Sequence, residues 1–303
     1  MKIASVTVVY NEYHKLKNWL QYLKKYNNGL DMHIIVDNGS EEGYREQLRT
    51  SFPNSIIVQR SENGGTTKAY NEGIRVALNN SEIDAILIID GDVELENECL
   101  SNLSEYLQSD KTLGFTAPVL LKAKSKVIEN CGATITSFLE YKQNNHNETL
   151  DDLKFDNKYV DTVGWGINLA KRSAYESIGL LDETLFMYYE EIDMGMRAKE
   201  KGIRMGVSKN AVAWHQHVNK SGSIDRAPYA YYLFSRNNLY LCQKYKGFTI
   251  AILRFIWYTI FSLILLIKRG LFFQSKRLKG PLYMIVGACK GIKGDMAKNK
   301  YYG

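Results

Sequence analysis

Asp90-Gly91-Asp92 follows Ala85-Ile86-Leu87-Ile88-Ile89, a run apolar on both faces that reads as a strand buried inside a sheet. Carboxylates at i and i+2 point the same way in extended backbone, and the glycine between them admits close approach by a ligand. Two hard oxygen donors suit Mg²⁺ or Mn²⁺ carrying a diphosphate. Three other strand-like runs end in residues of the same kind. Residues 3–9 lead into Tyr10-Asn11-Glu12, residues 33–36 into Asp37-Asn38-Gly39-Ser40, and residues 55–59 into Glu62-Asn63-Gly64-Gly65. Asp37 resembles a residue that accepts from a base imide or a ribose hydroxyl. Asn63-Gly64-Gly65-Thr66 precedes a helical pattern at 67–78 and offers backbone N–H groups to an anion, although it lacks the lysine pattern of a P-loop. Any one of these segments reads equally well as turn and N-cap residues. Four at the same edge of a sheet point to a ligand site, because in doubly wound sheets ligands bind beyond the carboxyl ends of the strands.

The elements that must position these residues alternate along the first 120 positions. Strand patterns at 3–9, 33–36, 55–59, 85–89 and 114–118 are separated by helical spacing at Leu16, Trp19, Leu20 and Leu23, at Ala69, Gly73, Val76 and Ala77, and at Leu100, Leu103 and Leu107. That is a βαβαβαβ half with a parallel sheet. Residues 140–158 are polar and read as a surface excursion, followed by a strand near 159–163, a helix over about 191–201, a strand at 211–214 and a helix around 229–244. No internal repeat is visible.

Composition narrows the class. With 45% hydrophobic and 24% charged residues, the 303-residue chain is neither disordered nor fibrous. Its four cysteines, Cys99, Cys131, Cys242 and Cys289, lie far apart with no CxxC pair, so neither a disulfide framework nor a structural zinc site is expected. The N-terminal residues read as a first strand rather than a secretory leader, which suits a reducing, cytoplasmic setting. The net charge of +6 is unevenly spread: residues 244–303 hold twelve Lys/Arg against Asp295 alone, so the first 243 residues are net acidic. Residues 248–267 carry one charge, Arg254, and twenty helical residues span about 30 Å, the thickness of a bilayer's hydrocarbon core. Lys268, Arg269, Lys276, Arg277 and Lys279 follow. The tail lacks interleaved stacking aromatics on a folded surface, so anionic lipid explains its charge better than nucleic acid. If residues 248–267 span a bilayer, Arg254 is expected to snorkel toward the cytoplasmic headgroups beside Lys244 and Lys246. The favoured alternative is an interfacial hairpin of residues 248–267 and 281–292 with the basic residues on anionic lipid.

Val9-Tyr10-Asn11, Val36-Asp37-Asn38-Gly39-Ser40, Glu62-Asn63-Gly64-Gly65 with Ala69-Tyr70-Asn71-Glu72-Gly73, Asp90-Gly91-Asp92, and Phe186-Met187-Tyr188-Tyr189-Glu190-Glu191-Ile192-Asp193 with Arg197 together resemble the motif series of family 2 glycosyltransferases of GT-A fold. By pattern the series is similar to bacterial rhamnosyltransferases and galactofuranosyltransferases of surface polysaccharide synthesis. The resemblance covers residues 3 to about 240 in order and implies an α/β fold with a mostly parallel, mixed central sheet flanked by helices. It implies a domain over 1–243, with a nucleotide-binding half to about 120 and an acceptor half from 121, followed by a helical membrane-associating region over 244–303. It implies a nucleotide-diphosphate sugar (dTDP-rhamnose or a UDP-sugar) as donor, a glycan or lipid-linked glycan as acceptor, Mn²⁺ or Mg²⁺ as cofactor, and work at the cytoplasmic face of the cell membrane.

Residue by residue, the resemblance assigns Tyr10, Asn11, Asp37, Asn63, Gly64, Lys68, Asp90 and Gly91 to the nucleotide, with Asp37 on its base. Asp90 and Asp92 match the metal-binding acid pair, and His215, in Ala213-Trp214-His215, matches a histidine that completes the metal site; His217 stands two residues away. Trp165 and Glu190 fall on the acceptor side. Glu191 matches the catalytic base, one methylene longer than the aspartate usual there. Asp193 reads as an i, i+4 partner of Arg197, and Arg236-Asn237 matches a segment near the donor phosphates, although an arginine on a helix is usually a solvated charge. The rival readings are a sugar-nucleotide pyrophosphorylase, which needs a basic Gly-rich loop where Tyr10-Asn11-Glu12-Tyr13 stands, and a non-catalytic glycan-binding scaffold, which would have lost the acids that this chain keeps.

Overall fold

The computed structural model describes residues 1–13, 18, 29–216, 227–271 and 278–297. The helical pattern at Leu16, Trp19, Leu20 and Leu23, together with His217, Lys276 and Arg277, lies outside these. The chain divides into two compact units, one formed by Met1–Thr134, Lys142–Leu181 and Met194–Val218 and the other by Ile135–Tyr141, Asp182–Asp193 and Asn219–Gly303. This division does not follow the charge boundary at 243.

In the first unit, β1 (Ile3–Val9) and β2 (Met32–Asp37) are followed by α1 (Glu42–Ser51), β3 (Ile56–Gln59), α2 (Thr66–Asn79), β4 (Ala85–Ile89), the short β5 (Val93–Leu95), α3 (Cys99–Ser109), β6 (Leu113–Lys122) and β7 (Ile128–Asn130). After a two-stranded ribbon of β8 (Ala133–Ile135) and β9 (Tyr141–Gln143) come β10 (Asn157–Val160), β11 (Ile167–Lys171), α4 (Arg172–Ile178), α5 (Glu190–Glu200) and β12 (Arg204–His215). The strands form one mixed sheet in the order β10-β12-β6-β11-β4-β1-β2-β3, with β5 on β12 and β7 on β6. β1, β2, β3 and β4 run parallel, as the alternating pattern predicts. All five residues of β4 are buried, so its apolar run does face helices on both sides. α2 lies close over β1 and β2 because residue 73 is glycine: a Cβ there would collide with Val6 and stand 3.0 Å from Val36 Cγ2.

Among the described residues the sheet contains three strands that the sequence pattern does not announce, the short β5 and β7 and the central β11. β11 runs antiparallel between β4 and β6, pairing Ile167 with Ile89 and Leu169 with Thr116. Fully buried Asn168 interrupts its apolar run and hides it from a periodicity count; its Nδ2 donates to Gly164 O at 3.2 Å.

The second unit is built on α6 (Pro228–Lys246), α7 (Phe248–Leu271) and α8 (Lys279–Ile292). α8 approaches α6 through small residues: a Cβ on Gly287 would collide with Tyr232 O, and one on Gly291 with Arg236 O. Ser235 Oγ donates to Met284 O at 2.8 Å, and Gln243 Nε2 to Ile292 O at 2.8 Å, so the contact is polar as well as close.

α7 is apolar toward the outside. Ala251, Arg254, Tyr258 and Ser262 are buried, while Phe248, Leu253, Ile256, Trp257, Ile260 and Ile264 are among its exposed residues. The expectation that Arg254 snorkels outward is corrected. It is 6% exposed, ion-pairs with Glu140, donates from Nε to Asn238 Oδ1 at 2.9 Å and sits 4.2 Å from the centroid of the Trp257 ring. A lone cation in an apolar helix is better satisfied by a fixed carboxylate and amide than left among hydrocarbon.

Candidate active site

At the carboxyl ends of β1, β2 and β3, the loops are tied to one another by the polar side chains that the sequence singles out. Asn11 N donates to Ser40 Oγ at 2.9 Å, and Asn11 Oδ1 accepts from Glu41 N at 2.9 Å. Asn38 Nδ2 donates to Asn63 Oδ1 at 3.1 Å, and Asn38 Oδ1 accepts from Gly64 N at 3.2 Å. Gly39 has φ +87°, and a Cβ there would collide with the backbone of Glu62, so the second and third loops touch main chain to main chain. Both carboxylate oxygens of Asp37 are engaged, Oδ1 by Ser40 N at 3.0 Å and Oδ2 by Arg45 Nε at 2.8 Å, and the residue is fully buried. The sequence reading places Asp37 on a nucleotide base; in the structure it anchors the turn and α1. Tyr10 and Lys68 are exposed at the same edge.

The acidic segment closes β4 as a tight turn, not as extended backbone: Val93 N donates back to Asp90 O at 3.1 Å. Asp90 N donates to Gly166 O at 2.9 Å, and the Asp90 carboxylate accepts from the Tyr70 hydroxyl. Burial, and then the charge of Asp92, push the Asp90 carboxyl up to about 7, partly offset by the Tyr70 hydrogen bond. His215, paired with Val93 where β12 meets β5, brings Nε2 to 3.4 Å from Asp92 Oδ1. Its Nδ1 lies 2.9 Å from Glu129 Oε1. Burial alone would lower the imidazole pKa, but the two flanking carboxylates outweigh it and hold His215 up to about 10.

Asp90, Glu129, Asn130, Trp165 and His215 line one cleft of about 230 Å³. Trp165 is 8% exposed and meets Tyr70 edge to face at 5.9 Å, so the predicted acceptor-side aromatic is largely packed against the helix that also holds Asp90. Two carboxylates and an imidazole are the donor chemistry of a divalent-cation site. Among the described residues no three His, Cys, Asp or Glu side chains are already gathered around one point.

In the second unit the segment before Glu190 is strained. Phe186, Tyr188 and Tyr189 have φ of +65°, +69° and +73°, a region that bulky L-residues rarely adopt. α6 holds it there. Asn237 Nδ2 donates to the carbonyls of Leu185, Met187 and Tyr188 at 2.9–3.0 Å, and Arg236 Nη2 to Leu185 O at 2.8 Å. Phe234 stacks on Tyr188 at 4.5 Å. Arg236 is fully buried, which corrects its reading as a solvated charge: its guanidinium is needed by carbonyls that have no helix or strand to satisfy them. Glu190 is buried and opens α5; burial raises the pKa of the Glu191 carboxyl beside it. Asp193 is fully buried and accepts from Lys244 Nζ at 2.8 Å and Tyr245 Oη at 2.6 Å, while Arg197 donates to Ile178 O, so each is held from another element.

Sequence reasoning missed Glu129 altogether, a lone acid in a polar stretch that no motif includes. Tyr70 sits inside the quoted Ala69–Gly73 series, but its bond to Asp90 follows only from how α2 packs.

The mixed, mostly parallel sheet flanked by helices is a GT-A fold, and the chain is a glycosyltransferase that uses a nucleotide-sugar donor. Residues 5–159, just over half of the chain, match the model of glycosyl transferase family 2, and the chain belongs to that family. It is similar to the low-salt glycan biosynthesis hexosyltransferase Agl10 of Haloferax volcanii, with 25% identity over 98% of this chain and 92% of that one. It is also similar to the dTDP-rhamnosyl transferase RfbF of Shigella flexneri, with 23% identity over 99% and 98% of the two chains. Among solved structures, the mannosyltransferase PcManGT of Pyrobaculum calidifontis in complex with GDP-Man and Mn²⁺ superposes with a TM-score of 0.57 at 13% identity, over 96% of this chain and 87% of that one.

Proposed function

We propose that this glycosyltransferase is inverting and metal-dependent, moving a sugar from dTDP-rhamnose or a UDP-sugar to a hydroxyl of a glycan or lipid-linked glycan in cell-surface polysaccharide synthesis. The observation that carries the reading is the Asp90-Gly91-Asp92 turn with His215 set 3.4 Å from Asp92. Asp90, Asp92 and His215 would hold Mn²⁺ or Mg²⁺, which when bound supplies positive charge against the departing diphosphate. Lys68 is exposed at the same sheet edge, suited to an anionic donor.

Glu191 takes the proton from the acceptor hydroxyl as its oxygen bonds to the anomeric carbon and the bond to the diphosphate breaks. One displacement inverts the configuration and needs no covalent enzyme intermediate. A carboxyl raised by burial is closer to the operating pH and so better matched to a general base. The donor choice is supported by the names of the two relatives, a hexosyltransferase and a dTDP-rhamnosyl transferase.

Work at the cytoplasmic face of the membrane is supported by α7, whose apolar residues face outward, and by the basic residues that follow it. By length and composition, Phe248–Gly270 is also long and apolar enough to cross a bilayer. The test is release of free nucleotide from dTDP-rhamnose, UDP-galactofuranose and UDP-hexoses with a lipid-linked acceptor, with and without EDTA. Acceptor-dependent release from one donor that stops in EDTA is the expected result. Undiminished transfer in EDTA overturns the metal, and no release from any donor overturns the donor class.

A further inference from the structure

Glu129 stands on β7, which pairs with β6 through Leu121 and Ile128, while His215 pairs with Lys122 of the same β6. Two backbone ladders on one shared strand thus set the Glu129–His215 contact, rather than a flexible loop. A carboxylate only accepts hydrogen bonds, so at 2.9 Å from Glu129 Oε1 it is His215 Nδ1 that donates. The nitrogen left to face the acidic turn is Nε2, 3.4 Å from Asp92 Oδ1. A histidine that binds a cation through one nitrogen needs its other N–H held, so that the ring keeps its orientation and tautomer.

We infer that Glu129 is a positioning residue that aims His215 Nε2 at the divalent cation, acting through the histidine and not on the cation itself. This rests on the reading of His215 as a metal ligand.

The test is titration of the full-length protein with Mn²⁺ alone, followed by loss of the free-ion paramagnetic resonance signal. Variants are first matched to the wild type by thermal melting without metal. Wild type binds Mn²⁺ and Asp92→Ala does not. Glu129→Ala weakens Mn²⁺ affinity about 10–100-fold. Glu129→Gln, whose amide oxygen still accepts from Nδ1–H, stays within a few-fold of wild type. The double variant Glu129→Ala/His215→Ala binds no worse than His215→Ala, because a residue that acts through another adds nothing once that one is gone.

Wild-type affinity in Glu129→Ala, an equal loss in Glu129→Gln, or a further loss in the double variant overturns the positioning role while leaving the metal reading intact. Absence of Asp92-dependent Mn²⁺ binding in the wild type overturns both.

Discussion

Asp92 and His215 are more than a hundred positions apart and become neighbours because β5 pairs with β12. Asp92→Ala is expected to abolish transfer and to weaken nucleotide-diphosphate binding in Mn²⁺, measured by calorimetry with and without the ion. Glu191→Gln keeps size and hydrogen bonding but removes basicity. Turnover should fall by about 10²–10⁴ while donor affinity holds, and damage confined to Glu190→Gln would move the base by one position. A third residue reports on stability. His33 on β2 bonds Ser55 Oγ through Nδ1 at 2.7 Å, and burial pushes its pKa down to about 4. Its neutral ring therefore favours the fold fully above the unfolded value of 6.5, and that contribution is lost as pH falls from 6.5 to 4, up to ~3 kcal/mol. Urea midpoints from pH 7 to 4 should fall less steeply in His33→Asn. At this scale the sequence shows the candidate residues, because acids, glycines and asparagines after strands are readable as types. It does not show partners: whether Asp37 meets a ligand or Arg45, and whether His215 meets Glu129, depends on register across strands.

Elements were legible where one periodicity ruled. β1 and β4 match their apolar runs end for end, whereas β11 escaped because the buried Asn168 breaks its pattern. The same limit hid the role of α6. Its Arg236 and Asn237 look polar in sequence, yet they face inward and supply donors to a turn that lacks secondary structure of its own. Asn237→Asp keeps the shape and removes every donor. With the carbonyls of Met187 and Tyr188 deprived of this donor, the fold should lose about 1–3 kcal/mol, seen as a lower melting temperature. Ordinary surface substitutions on α6 such as Lys246→Gln should cost nothing measurable. The α6–α8 contact is as exacting, because Gly287 and Gly291 meet backbone rather than flexible side-chain ends.

For the whole molecule, the apolar exterior of α7 sets the expected behaviour with lipid. Replacing Ile256, Ile260 and Ile264 by glutamine leaves the buried Arg254–Glu140 pair untouched and should release the protein from anionic liposomes in sedimentation at low salt. Truncation after Tyr245 would be a poorer test, since it also strips α8 from α6 and exposes Ser235 and Gln243. The sheet carries a different consequence, one of timing. β12, the last strand among the described residues, lies inside the sheet between β10 and β6. During synthesis β6 therefore emerges with one edge open, and β10, which pairs with β12, has no neighbouring strand until residue 215 has left the ribosome. For roughly the last hundred residues before that point the nascent sheet keeps an open edge at β6, the kind of edge that pairs with a stranger or calls for a chaperone. Since β12 also delivers His215, the step that closes the sheet is the step that completes the proposed metal site, and a chain stalled short of it would be both sticky and inert.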